Sequence, residues 1–139
     1  MVTYEKRLKF DTSGEVEIVD LTDKIKKAVG ESGVKEGIGL VFVPGATGAI
    51  IAIEYEEGLL KDFPRMLERV APKGIEYLHH LKWHDDNGHS HVRASLLGPD
   101  LSFPISEGKP VLGTWQQIAF VELDTRPRQR TIIVKIVGE

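Results

Sequence analysis

All five histidines of this chain lie between His79 and His91, in the stretch HHLKWHDDNGHSH. Imidazole titrates near neutrality and binds metals, so such a cluster suits either proton transfer or metal ligation. Read as a strand, HSHVRASL alternates faces: His89, His91, Arg93 and Ser95 fall on one side, and Val92, Ala94 and Leu96 on the other. Residues two apart on a strand stand roughly 7 Å apart at Cα, near enough for two imidazoles to share an ion or an anionic group. On this reading His91 is a candidate acid or base. Arg93 would receive an anionic substrate such as a phosphate ester through forked hydrogen bonds, with Ser95 beside it. Zn2+ or Mn2+ would take His79, His89 and His91, with His84, Asp85, Asp86 or Glu54 available to complete the shell. The loop WHDDNGH has the composition of an exposed turn, which places His80 and His84 at the surface and makes Asp85, Asp86 and Asn87 turn residues.

Outside this cluster the chemical signals are sparser. Glu54 ends an apolar run and is either a solvated strand terminus or a general base or ligand. Thr47 sits in PGATG, which resembles a small anion-binding turn but fits no Walker or dinucleotide pattern, so a tight inter-strand loop is the simpler reading. Arg126, Arg128 and Arg130 in DTRPRQR could receive phosphate but read more simply as a solvated turn entering the last strand. There is no cysteine, which excludes disulfides, thiolate metal sites and cysteine nucleophiles. No Gly-x-Ser-x-Gly or Ser-His-Asp arrangement is present.

The elements that must carry these groups follow from periodicity. Thr3 to Asp11 alternates like a half-exposed strand, and SGEVEIVD gives a turn and a second strand. Asp20 caps a short amphipathic helix carrying Leu21, Ile25, Ala28 and Val29, which Gly30 or Gly33 stops. GIGLVFVP and AIIAIEY are uninterrupted apolar runs of strand length, hence buried strands. Leu59, Leu60, Phe63, Met66, Leu67 and Val70 predict a second helix that starts just before Pro64 or bends there, closed by Pro72. From His91 onward HVRASLLG, LSFPIS, PVLGTWQQIAFVEL and RTIIVKIVG predict strands in an antiparallel meander. The 139 residues form one domain, 1–139, of α+β class: a largely antiparallel β-sandwich with two main helices. The net charge of −3 gives no basic surface, so neither nucleic acid nor an acidic membrane is an expected partner. MVTYEKRLKFD lacks a signal-peptide apolar core, and a cytoplasmic location is expected.

Three stretches together, VFVPGATGAIIAIEYEEGLLKD, DNGHSHVRASLLGP and LSFPISEGKPVLGTWQQIAFVELD, resemble the YjbQ-like family, from about Phe10 to Gly138. The resemblance implies an α+β sandwich associating as a homotrimer, with sites near subunit boundaries. It implies a polar cluster of His79, His91, Glu54 and the segment Gly113–Gln116, in which Thr114, Trp115 and Gln116 would contact substrate. Trp115 would offer a stacking platform. Thr47 is assigned to the same substrate site. Family members are suspected of holding a metal through histidines and are described as secondary thiamine-phosphate synthases. They would join hydroxymethylpyrimidine diphosphate to thiazole phosphate with Mg2+, so a small phosphorylated metabolite is the expected partner. The chain departs from the family where many members have His-Thr-Thr and it has Gly45-Ala46-Thr47. It departs again where many have Asn-Glu-Asn and it has Ile53-Glu54-Tyr55. A metal site is then weaker, shifted to His84 and His89, or absent. Two readings stand beside the synthase: a metal-dependent phosphoester hydrolase and a non-catalytic metabolite-binding trimer.

Overall fold

A computed structural model describes residues 1–139. Its strands are β1 (Val2–Thr12), β2 (Glu17–Asp20), β3 (Gly37–Phe42), β4 (Gly48–Ile53), β5 (Asp100–Ser106), β6 (Lys109–Pro110), β7 (Gln117–Glu122) and β8 (Arg128–Gly138). Its helices are α1 (Thr22–Ser32), α2 (Glu57–Val70), α3 (Leu78–Trp83) and α4 (Gly88–Leu97). One sheet runs β1-β8-β3-β5-β6 and the other β2-β7-β4. Every pairing is antiparallel. The α+β sandwich expected from sequence is thus the fold, but its C-terminal strands are no meander. β7 crosses to the small sheet, and β8 inserts between β1 and β3.

The small sheet is covered on both faces, which explains why its strands read as continuous apolar runs. Ile50, Ile118 and Phe120 point into the main core, with Ile132, Val134 and Ile136 of β8 and Ile25 and Val29 of α1. Ala49 and Val121 point the other way, into a second cluster with Leu67 of α2 and Ala94 of α4. α1 begins where Asp20 Oδ1 accepts the Thr22 N–H at 3.0 Å, and ends at Gly33 with φ 72°. α2 starts well upstream of Pro64, where Glu56 caps it by accepting the N–H groups of Gly58 (2.6 Å) and Leu59 (2.9 Å), and it continues past the proline to Val70.

The largest correction concerns HVRASLLG, which is helical. Its residues sort by a period near four: His89, Ser90, Arg93 and Ala94 are buried, while Val92 and Leu96 are exposed. The alternation that suggested a strand is also compatible with this helical sorting over so short a segment. α4 is then tied to the β3–β4 loop beyond its C-terminus, where Val43 N–H donates to Pro99 O (2.9 Å) and Ile50 N–H to Gly98 O (3.2 Å).

Candidate functional site

Because α4 is a helix, the four residues expected on one face divide between two. His89 and Arg93 face inward. His89 is fully buried and its Nε2 lies 2.7 Å from Glu15 Oε2. Arg93 donates from Nε to the Ala71 carbonyl (2.9 Å) and from Nη2 to Glu68 (2.9 Å). Neither reaches the cleft, so Arg93 is not placed to meet substrate and His89 cannot join His79 and His91 around a metal. These corrections share one physical cause, the 3.6-residue turn replacing the two-residue alternation.

His91 and Ser95, one helical turn apart, line a cleft of about 240 Å³ with Ala94 and Pro99 on one side and Gly45, Ala46 and Gly48 on the other. Ser95 Oγ donates to the His91 carbonyl (2.8 Å). α3 brings His79 alongside, its ring centroid 4.4 Å from that of His91 with the planes tilted by 35°. His79 Nδ1 is 3.1 Å from Asp85 Oδ1, an ion-pair distance without the alignment of a hydrogen bond. With its amide turned to donate, Asn87 bonds both Asp85 oxygens at 3.0 and 3.2 Å. Asp85 and Asn87 are therefore braces of the histidine pair rather than bare turn residues. Burial pushes the His91 imidazole below its ordinary value and His79 pushes the same way, against a partial pull upward from Asp124 and Asp85. His91 is accordingly neutral at neutral pH, able to accept a proton on one nitrogen.

Behind the cleft lies a buried polar network that sequence reading largely missed. Arg130, whose side chain is only 5% exposed, pairs with fully buried Glu122 through Nε and Nη2. Its Nη2 also donates to Thr47 O (3.1 Å) and Oγ1 (3.0 Å). Thr12 Oγ1 donates to Glu122 at 2.6 Å, and Thr47 Oγ1 to Asp124 at 3.0 Å. Thr47 is thus buried with its hydroxyl committed to protein partners, not offered to substrate. Burial tends to raise the Asp124 carboxyl, but hydrogen bonds from Thr47 and the Thr125 N–H, with Arg128 and Asn87 nearby, outweigh it and hold the group below the usual carboxylate range. Of the three arginines read as a solvated turn, Arg126 and Arg128 are exposed and Arg130 is buried. The signal was available: Arg130 is in phase with buried Ile132, Val134 and Ile136 on β8.

The remaining predicted residues lie elsewhere in the chain. Gly48 pairs with Glu122 at the cleft end of the β4–β7 ladder, and Ile53 with Gln117 at the other, roughly 17 Å away by strand rise. Glu54, Thr114, Trp115 and Gln116 follow that far end and are all exposed, Trp115 by 72%. Gln116 Oε1 accepts the Gly113 N–H at 2.9 Å. Within one chain they do not meet His91. His80 is half-buried and structural, accepting the Gly88 N–H on Nε2 at 3.1 Å and lying edge-on to Tyr77. His84 is exposed and ends α3 in a left-handed conformation.

The model of the family described as UPF0047 protein YjbQ-like matches residues 6–139. The chain belongs to this family. A UPF0047 protein of Archaeoglobus fulgidus is 41% identical over 128 residues, 92% of this chain and 97% of that protein. One from Methanothermobacter thermautotrophicus is 40% identical over 139 residues, 100% of this chain and 95% of its own. Among solved structures, a YbjQ-like protein of unknown function from Sulfolobus solfataricus superposes with a TM-score of 0.94 at 41% identity, covering 99% of this chain and 98% of that one. A family protein from Clostridium acetobutylicum superposes at 0.86 with 37% identity, covering 95% and 99%. The architecture of this YjbQ-like chain is therefore that of its relatives. No helix in it is long and apolar enough to cross a membrane.

Proposed function

We propose that the cleft beside His91 binds a small phosphorylated metabolite and that the protein is a transferase of the thiamine-phosphate synthase kind. The observation that carries this reading is His91 on the wall of a cleft whose opposite wall is glycine and alanine, with the His79 ring 4.4 Å behind it. A neutral imidazole beside a side-chain-free wall suits close approach of a ligand and hydrogen bonding to it. The cleft's 240 Å³ is below the usual range for a drug-sized ligand, about 300–1,000 Å³, so it holds a phosphoryl end rather than both halves of thiamine phosphate.

In the proposed reaction the ring nitrogen of the thiazole phosphate forms a bond to the pyrimidine methylene carbon. The carbon–oxygen bond to diphosphate breaks, and its electron pair leaves with the diphosphate. Mg2+ enters bound to the diphosphate substrate and neutralises its charge. His91 and His79 contribute hydrogen bonds to the departing group. Arg93 takes no part, because it is occupied with Glu68 and Ala71.

The hydrolase reading with resident Zn2+ or Mn2+ fits less well. No group of three or more His, Asp and Glu side chains converges as a ligand set, since His89 turns to Glu15. A homotrimer is part of the proposal. It is supported by Leu78, Leu81, Trp83, Val92 and Leu96, all exposed on α3, its end and α4 next to the cleft. Such an assembly would bring a neighbour's Glu54 and Thr114–Gln116 towards His91.

The deciding assay supplies both half-substrates and Mg2+ and measures thiamine phosphate by chromatography. Wild type should form it, and His91→Ala and His79→Ala should each lose roughly 100-fold. Wild-type yield no higher than that of the doubly substituted protein would reject the synthase. Light scattering in solution should give a trimer mass, and Leu81→Glu with Leu96→Glu should lower it. A monomeric wild type would reject the assembly.

A further inference from the structure

We infer that the loop Gly45–Ala46–Thr47, backed by Arg130, is the phosphoryl-binding element of the cleft, with Gly45 as the residue that keeps it open. Three observations converge on it. First, the backbone N–H groups of Gly45, Ala46 and Thr47 donate no hydrogen bond within the chain, among either backbone or side-chain acceptors. A run of free N–H groups on a turn is a ready receptor for an anionic oxygen.

Second, Arg130 is nine-tenths buried and spends Nε and Nη2 on Glu122 and Thr47, while Nη1 makes no hydrogen bond to the protein. Unlike His79 Nδ1, His89 Nδ1 and Ser90 Oγ, it is not among the sealed, unpartnered side-chain atoms. Third, the glycines place that nitrogen at the cleft. A methyl group on Gly45 would sit 3.1 Å from Arg130 Nη1, and one on Gly48 would lie 3.6 Å from Arg130 Cζ. Both glycines line the cleft with His91. Gly45 has φ 148°, a conformation that a side chain would strain. A side chain at Gly45 would therefore cover the only unspent nitrogen of the guanidinium.

The neighbouring carboxylates do not veto an anion, because each already has its own donors. Glu122 is held by Arg130, Thr12 and the Asp124 N–H, and Asp124 by Thr47 and the Thr125 N–H. With Glu122 neutralising Arg130, recognition comes from directed N–H donors more than from net charge, which favours the several acceptor oxygens of a phosphoryl group over a single carboxylate. The other hollow, lined by Lys26, Gly108, Lys109 and Pro110, offers only exposed surface ammonium groups and no such constellation.

This deepens the reading of the cleft as a phosphorylated-metabolite site, and its test reads binding alone, so it stands or fails apart from the synthase assay. Isotope-labelled wild-type protein is titrated with inorganic phosphate, diphosphate and acetate while backbone amide and arginine side-chain signals are followed by NMR. Saturable shifts confined to Gly45, Ala46, Thr47, Arg130 and their contacts are expected, at lower concentration for diphosphate than for phosphate. Gly45→Val, checked for folding by circular dichroism, should weaken them at least tenfold. Lys109→Ala, in the other hollow, should leave them unchanged. Saturation by acetate at equal concentration, shifts centred on Lys26 and Lys109, or no saturable shift at all would each overturn the assignment.

Discussion

On its inner face α4 carries His89 and Arg93 sealed against Glu15, Glu68 and the Ala71 carbonyl, and on its cleft face it carries His91 and Ser95 within reach of a ligand. The residue types are nearly the same; their partners are not. The inner pair bonds protein partners through His89 Nε2 and Arg93 Nε and Nη2, so it ties α4 to the β1–β2 turn and to the end of α2. The outer pair keeps His91's ring free of protein hydrogen bonds, with only His79 stacked beside it. Which side of a ten-residue helix a histidine occupies therefore decides whether its ring is sealed in the protein or open to the cleft.

Arg93→Ala should break this contrast most visibly. It leaves the Ala71 carbonyl without its partner in a buried setting and empties the space of a long side chain, at a cost of about 3 kcal/mol in urea unfolding. The exposed Glu68 partner recovers water, which keeps the cost at the low end for a broken buried pair. A loss under about 1 kcal/mol, with impaired phosphate binding instead, would move Arg93 back to the cleft. His89→Ala should cost about 2 kcal/mol, from the lost ring packing and the lost bond to Glu15, which Lys73 at 2.6 Å still holds in place. His91→Ala reverses the pattern. Stability should change by less than about 0.5 kcal/mol while turnover falls, a split read by running unfolding and activity on the same preparation.

The sequence carried the strands better than the face assignments. β4 and β7 were legible because a doubly covered sheet demands unbroken apolar runs, and α1 because Asp20 and Gly33 mark its ends. α4 was not legible as a helix: HSHVRASL fits alternation as well as a period near four, and its buried Arg93 hides the apolar stripe. His91, expected on a strand, lies on a helix and lines the cleft from there. Arg130 was passed over as a turn residue although its phase on β8 points inward. Glu54 and Trp115 mark the limit of a single-chain reading, since the β4–β7 register sets them at the far end of the ladder.

The smallest effect in this series is the most specific to the cleft face. Burial and His79 hold the folded-state His91 below the ordinary imidazole value of about 6.5, so between that value and its folded value the unfolded chain binds more protons than the folded one. The sign follows: above the unfolded value the group makes no pH-dependent contribution, and stability declines as the pH falls towards the folded value. His91→Asn should flatten that decline while leaving untouched the separate loss at lower pH, where Asp124, depressed in the folded state, becomes protonated. Thermal unfolding from about pH 7.5 to pH 5 would show it. If the His91→Asn curve keeps the wild-type slope across that window, the imidazole is not held neutral by its surroundings, and the distinction between the two faces of α4 loses its electrostatic half.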